Sequence, residues 1–214
     1  MKKNAFLFIL ALLSTVCLTS HAQSFDGGLV VGAVTSQING DGYGGFHQIG
    51  CTAGVFGRIP LEESESWQFE LKYSLFGAHS DSQYETPMNI RLHYVELPIM
   101  YRFDLSELNI NGKKLDYITF EIGLSGDFLI NNKQSADNDG GYENPNWLFF
   151  SVTGNIGIQF DINDRLGINV RSMNSLTPCR LHYDVPLISF RHYYNIALQS
   201  TVVYTITHAK KERM

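Results

Sequence analysis

Charge is scarce in this chain: Asp, Glu, Lys and Arg supply 17% of its residues, against about 25% in ordinary globular domains. Long apolar runs are scarcer still. Beyond residue 22 no segment stays apolar long enough to cross a bilayer as a helix. Helical periodicity is missing from the same region, which leaves strands as the regular structure. There are three cysteines, one of them Cys17, too few for a disulfide scaffold. Basic excess is missing too. The formal charge is −5, and that acidity argues against nucleic acid as a partner. No repeat of fixed period is present. What the chain holds in quantity is Gly (19), Phe (14) and Tyr (11), residues of turns and half-buried strands.

The amino end reads as an export signal. Met1-Lys2-Lys3-Asn4 is a basic start, and Ala5 to Leu18 is an apolar core too short to span a bilayer comfortably. Ser20-His21-Ala22 is a small-x-small cleavage pattern. Residues 1–22 are expected to be a cleaved Sec signal peptide, with the mature chain starting near Gln23. Cleavage removes Lys2 and Lys3 and no acid, moving the formal charge to −7. Cys17 does not read as a lipoprotein cysteine, because Ser14-Thr15-Val16 offers neither Leu at −3 nor a small residue at −1. An exported chain with no helical span is either soluble or a barrel.

Residues 67–78 favour the barrel. Trp67, Phe69, Leu71, Tyr73 and Leu75 share one face of a strand, and Gln68, Glu70, Lys72 and Ser74 share the other. The pattern recurs in Val95/Leu97/Ile99/Tyr101/Phe103 and in Ile118/Phe120/Ile122/Leu124/Phe128. It returns in Leu148/Phe150/Val152/Ile156/Ile158/Phe160 and in Ile196/Leu198/Val202/Tyr204/Ile206. These faces carry no charge, whereas the opposite ones hold Glu96, Arg102, Glu121, Asp127 and Arg171. A closed sheet that is apolar outside and polar inside suits a lipid bilayer. The alternative is a soluble periplasmic lipocalin-like barrel around an apolar ligand, which reverses the faces. Its wetted surface would then include Asn155, Gly157, Gln159, Asn195, Ala197, Gln199 and Thr201, without the Lys and Glu of a solvated face. The expected fold is all-β, an eight-stranded antiparallel up-and-down transmembrane β-barrel over residues 23–206, followed by a short basic tail, 207–214.

Eight strands are placed at 27–38, 49–59, 67–78, 90–103, 117–130, 147–160, 165–174 and 190–206. From a periplasmic amino end, the polar loops 39–48, 79–89, 131–146 and 175–189 face outside, and turns 60–66, 104–116 and 161–164 face the periplasm. Trp67, Tyr101, Phe103, Tyr117, Trp147, Tyr193, Tyr194 and Tyr204 gather near strand ends, as interfacial girdles would. Pro98 falls in mid-strand, where its missing N–H predicts a local bulge.

At this point several segments resemble one family. Tyr94-Val95-Glu96-Leu97-Pro98-Ile99-Met100-Tyr101 resembles the Tyr-x-Glu-x-Pro-apolar strand of PorT-like outer-membrane barrels of Bacteroidota. Phe69-Glu70-Leu71-x-Tyr73-Ser74-x-x-Gly77 is similar to the strand before it. Gly28-Leu29-x-x-Gly32 with Ser36-Gln37-Ile38 is similar to the first strand, and Phe120-Glu121-x-Gly123-x-Ser125-Gly126 to the fifth. The resemblance covers about residues 25–206. It implies a small outer-membrane barrel, and it makes Pro98 a family feature. Such barrels usually stop at an aromatic ending the last strand. Here Tyr204-Thr205-Ile206 is followed by Thr207 to Met214 with Lys210, Lys211 and Arg213.

Candidate chemistry is thin. Gly40-Asp41-Gly42-Tyr43-Gly44-Gly45 matches G-x-G-x-x-G, but a strand rather than a helix follows, so it reads as a loop. Asp137-Asn138-Asp139-Gly140 with Glu143 has the flavour of a calcium loop, yet the first and twelfth positions are Ser135 and Asn146, so a solvated acidic loop is favoured. His47, His79, His93, His182 and His192 map to the outer end and His208 does not. They are read as scattered polar residues beside a weaker reading as a zinc or copper site. Ser80 or Ser82, with His93 and Asp81 or Glu85, offers the groups of a rim lipid-modifying enzyme, but no spacing singles out a catalytic residue. The chain is read as a non-enzyme with no cofactor and no metal site. Cys51 and Cys179 lie at the external end, as a disulfide or as free thiols.

The residues singled out are the inward charges Arg58, Lys72, Arg102 and Arg171 with Glu70, Glu96, Glu121 and Asp127, a structural network of four of each sign. A hairpin folded about Tyr84 sets Lys72 opposite Glu96. Arg58 then lies near Glu70, and Arg102 diagonal to Glu121. The expected protein is a small barrel of the cell outer membrane with a structural, assembly- or secretion-linked, or interaction role, or limited small-solute transport, its lumen largely filled by polar side chains. Expected partners are outer-membrane lipid, the barrel-assembly machinery, and proteins reached through external loops.

Overall fold

A sheet whose strands each carry an apolar face must hide both that face and its edges, and this chain closes the sheet on itself. The computed structural model describes residues 25–40, 45–62, 64–79, 88–107, 109–110, 113–136, 146–181 and 192–207. The strands are β1 (Asp26–Asn39), β2 (Gln48–Pro60), β3 (Glu65–His79) and β4 (Met88–Asp104), then β7 (Ile118–Ala136), β8 (Phe150–Asp161), β9 (Leu166–Ser175) and β10 (Tyr194–Thr207). Between β4 and β7 lie a short 3₁₀ turn, Leu105–Glu107, and a two-residue hairpin of β5 (Asn109–Ile110) and β6 (Lys113–Lys114). The closed order is β1-β10-β9-β8-β7-β4-β3-β2. Every barrel pairing is antiparallel, so the topology is up-and-down with β1 sealed against β10. The expected signal segment 1–22 and the tail after Thr207 lie outside the described residues.

The charge-free faces point outward. Leu29, Leu71, Ile99, Ile122, Ile156 and Val202 are all exposed. This excludes the lipocalin-like arrangement, which needs those faces inside. On β3 the outward apolar run Trp67 to Leu75 matches the ~9–11 residues with which a tilted strand crosses a bilayer. Rings gather at both ends of the band. Trp67 packs edge-on against Tyr101 at 5.3 Å and Phe103 lies 5.1 Å from Phe120. At the other end Phe128 meets Phe149 and Phe150 at 5.7 and 5.1 Å.

Several sequence expectations need correction. β7 runs to Ala136 rather than 130, because an extra residue at Ile130 shifts its register against β4 between His93 and Tyr94 and the ladder then continues. β8 begins at Phe150 and β10 at Tyr194, later than expected, since Trp147 and Tyr193 form isolated bridges to Arg180 instead. Pro98 makes no bulge. The β3–β4 register is unchanged from Phe69–Ile99 to Lys72–Glu96, and only the pairs Glu70–Pro98 and Leu71–Leu97 drop out. Those two need a hydrogen bond donated by the nitrogen of residue 98, which proline lacks.

Residues 40–47, 80–87, 137–149 and 176–193 connect strands at one end. The connections at the other end are 61–64, 105–117 and 162–165. The tight turns close by backbone bonds, Leu61 N–H to Glu65 O and Ile162 N–H to Leu166 O.

Candidate functional site

The interior is layered, not uniformly polar. A small apolar cluster of Val30, Phe56 and Val203 sits toward the short turns. A polar storey follows. Above it, toward the long connections, Val34, Ile38, Phe76, Ile90, Leu92, Tyr94, Leu129 and Met173 form an apolar plug. Each fully buried side chain of this kind contributes about 1.5–3 kcal/mol in a water-accessible reference. Here β3 continues past its last β2 pair, Thr52–Ser74. The Ser36 hydroxyl accepts from Gly77 N–H at 2.9 Å and donates to Gly77 O at 3.0 Å, tying β3 to β1. Trp147 and Tyr193, expected in a girdle, pack against the plug, with the Arg180 guanidinium 5.5 and 5.0 Å from their rings.

The polar storey holds the inward charges, and register explains who meets whom. Lys72 faces Glu96 across β3–β4. Its Nζ lies 3.6 Å from Glu96 Oε2 and 3.2 Å from Glu70 Oε2, and it donates to Gln199 Oε1 at 2.9 Å. Glu96 Oε2 also accepts from Ser74 Oγ at 2.6 Å. Arg171 is the hub. Its Nη1 and Nη2 donate to both oxygens of Glu70 at 3.0 and 2.8 Å, and its Nε donates to Glu121 Oε1 at 2.7 Å. Arg102 lies directly opposite Glu121, not diagonal to it, at 3.8 Å.

Arg58 reaches Glu70 only through an intervening amide. It faces Gln68, one row from Glu70, because the 61–64 turn sets β2 against β3 that way. It hydrogen-bonds Gln68 Oε1 and pairs with Asp26 at 3.6 Å near the barrel mouth. The storey therefore keeps Lys72, Arg102 and Arg171 against Glu70, Glu96, Glu121 and Asp127. Asp127 makes no ion pair among the described residues. Its oxygens accept from the Ser125 and Thr153 hydroxyls.

Amides complete the network, and counting charges alone does not reveal them. Gln68 accepts from Arg102 Nη1 at 2.6 Å and donates to Glu70 at 2.6 Å, and Gln159 accepts from Arg102 at 3.1 Å. Their parity on the inward face was the available signal. Two glycines supply room. Gly54 faces Lys72, and Gly157 faces both Glu121 and Arg171.

Lys72→Met and Glu96→Leu should each destabilise the barrel, by up to about 3–5 kcal/mol for a charge stranded in a dry interior. The double variant should recover part of the loss. Urea unfolding in lipid or detergent measures the cycle, and strictly additive effects would show that the two side chains do not interact.

Other candidates do not converge. Tyr73 Oη and His93 Nδ1 are 2.6 Å apart, and His93 lies on the outward face, whereas His192 is buried. His47 and His79 are exposed, and His182 and His208 lie outside the described residues. No three His, Cys, Asp or Glu side chains could share a metal among the described residues. Cys51 and Cys179 are not joined in a disulfide: Cys51 is exposed, and Cys179 is buried with its thiol donating to Tyr193 O. Ser80, Asp81, Ser82 and Glu85, the 41–44 stretch and the 137–143 acidic loop lie outside the described residues. Below the network a polar bay of about 320 Å³ opens between the short turns, lined by Arg58, Gln159, Asp161 and Arg165.

Residues 21–179 match the profile of the outer membrane protein β-barrel domain family. Among solved structures the chain is similar to Ail, the attachment invasion locus protein of Yersinia pestis, at 10% identity. That match covers 86% of this chain and 99% of that one, with a TM-score of 0.46. It is also similar to Neisserial surface protein A, at 11% identity over 85% and 97% of the two chains, with a TM-score of 0.46. OprG of Pseudomonas aeruginosa follows at 9% identity over 86% and 94%, with a TM-score of 0.39. No curated protein matches the chain.

Proposed function

Since the chain belongs to the outer membrane protein β-barrel domain family, we propose that it is a PorT-like barrel that is not an open porin and acts as a membrane-anchored scaffold. In this reading its long connections face outside and meet protein partners, in a structural, assembly or secretion-linked role. The barrel-assembly machinery inserts it after export through a cleaved signal. The Glu96-x-Pro98 strand supports the PorT-like reading.

The observation that carries the proposal is the filled lumen. An eight-stranded barrel has an interior just wide enough for its own side chains, unlike porins of 16–18 strands. Glu70, Lys72, Glu96, Met100, Arg102 and Glu121 are all buried there, and the apolar plug, with Tyr94 in it, lies above them. Planar-bilayer recording of the refolded barrel should show no large, stable conductance steps. Such steps would overturn the scaffold reading. On SDS gels the unboiled barrel should migrate differently from the boiled one, and recovery in the soluble periplasmic fraction without detergent would contradict the membrane placement.

A further inference from the structure

We infer that Arg91 and Lys133 form a binding site for the phosphate groups of the lipids around the barrel. The site rests on the membrane-spanning reading above. The two residues are direct partners across β4–β7, so their Cβ atoms lie about 4.5–5.5 Å apart on one face. Both are exposed. Like charges placed opposite each other in a sheet repel, and neither forms an ion pair with a carboxylate among the described residues. An anion held between them removes the repulsion and gains charge-assisted hydrogen bonds, with the guanidinium fork matched to phosphate oxygens.

Height identifies the anion. Arg91 stands two residues beyond His93, which faces Leu75, the last apolar residue of the outward run on β3. Lys133 follows exposed Ile130 and then Asn131 and Asn132, both exposed. The pair therefore sits just past the edge of the hydrocarbon band, at headgroup level, with two amides beside it. The outward positions around the pair are Gly77, His79, Asn89, His93 and Asn131, with no carboxylate. A free phosphate in solution has no reason to prefer this height, so the lipid-borne group is the assigned ligand.

The test uses the whole mature barrel refolded into phosphatidylcholine vesicles, with or without phosphatidic acid, and reads the temperature at which the folded gel band disappears. Phosphatidic acid should raise that temperature by roughly 2–4 °C, the shift about 1 kcal/mol gives a chain of this size. Arg91→Gln/Lys133→Gln should abolish the difference, and the exchange Arg91→Lys/Lys133→Arg should keep most of it. Both variants change exposed side chains, and the folded band itself reports that they fold. An equal shift in the glutamine variant, no shift in the parent, or the same shift from inorganic phosphate in pure phosphatidylcholine would each overturn the site. A barrel that never enters the vesicles overturns the membrane reading first, and the site with it.

Discussion

Arg171→Met should lower the unfolding free energy by about 3–5 kcal/mol, because it leaves buried carboxylates without their partner. Arg171 is 3% exposed. It closes a fork on Glu70 and reaches Glu121 with a third nitrogen. Methionine fills much of the space and supplies none of the charge. Glu70 keeps Lys72 at 3.2 Å, but Glu121 is left with Arg102 at 3.8 Å, beyond hydrogen-bond reach. Asp127→Asn is the informative contrast. No cation loses a partner there, and of the Ser125 and Thr153 hydroxyls, which donate to the two different oxygens of Asp127, one can still donate to the amide oxygen while the other turns to accept from the amide nitrogen. Its effect should stay within about 1 kcal/mol. Urea unfolding of both variants in lipid compares them directly. An Arg171→Met barrel as stable as its parent would mean the network contributes little to stability.

Gly54→Val should prevent folding altogether, at a cost above about 4 kcal/mol. A Cβ at Gly54 would lie 2.2 Å from Leu71 O and 2.7 Å from Lys72 Cα. Both are backbone atoms of the adjoining strand, so no rotamer change relieves the clash, and β2 must part from β3 beside the buried lysine. Gly57→Val tests whether any valine in this strand is harmful. A Cβ there meets nothing within 4 Å, and the substitution should leave the heat-modified gel band intact. If the Gly54 variant refolds with the parent's midpoint, Gly54 does not set the spacing of the two strands.

The outward half of this barrel was legible because lipid enforces one rule on every strand. Trp67, Phe69, Leu71, Tyr73 and Leu75 alternate cleanly with polar neighbours, and period two then assigns both faces. The Lys72–Glu96 pairing was legible for a related reason: the two strands fold about one centre, and no inserted residue disturbs their register. The upper plug was harder to read. Phe76 follows Leu75, and Ile130 follows Leu129, so both faces are apolar there and alternation has no contrast to report. The extra residue at Ile130 leaves no mark in the sequence either, and it moved the end of β7 by six residues. The glycines opposite Lys72 and Glu121 acquire meaning only once partners are known. Taken alone, Gly54 and Gly157 read as weak points in strands.

The seam between β1 and β10 sets the order of events in biogenesis. Asp26 and Thr207 bound the barrel, and the strands they belong to are neighbours. Contacts between chain ends are the slowest kind to form, since the loop they close is nearly the whole domain. Until that seam zips, two bare edges offer their N–H and C=O groups to any passing strand. Neither the apolar plug nor the ionic storey can be finished before then, because Ala197 and Gln199 arrive on β10. The chain therefore commits to its native state only at its final strand, and a truncation that removes β10 leaves an adhesive, half-built sheet instead of a smaller barrel.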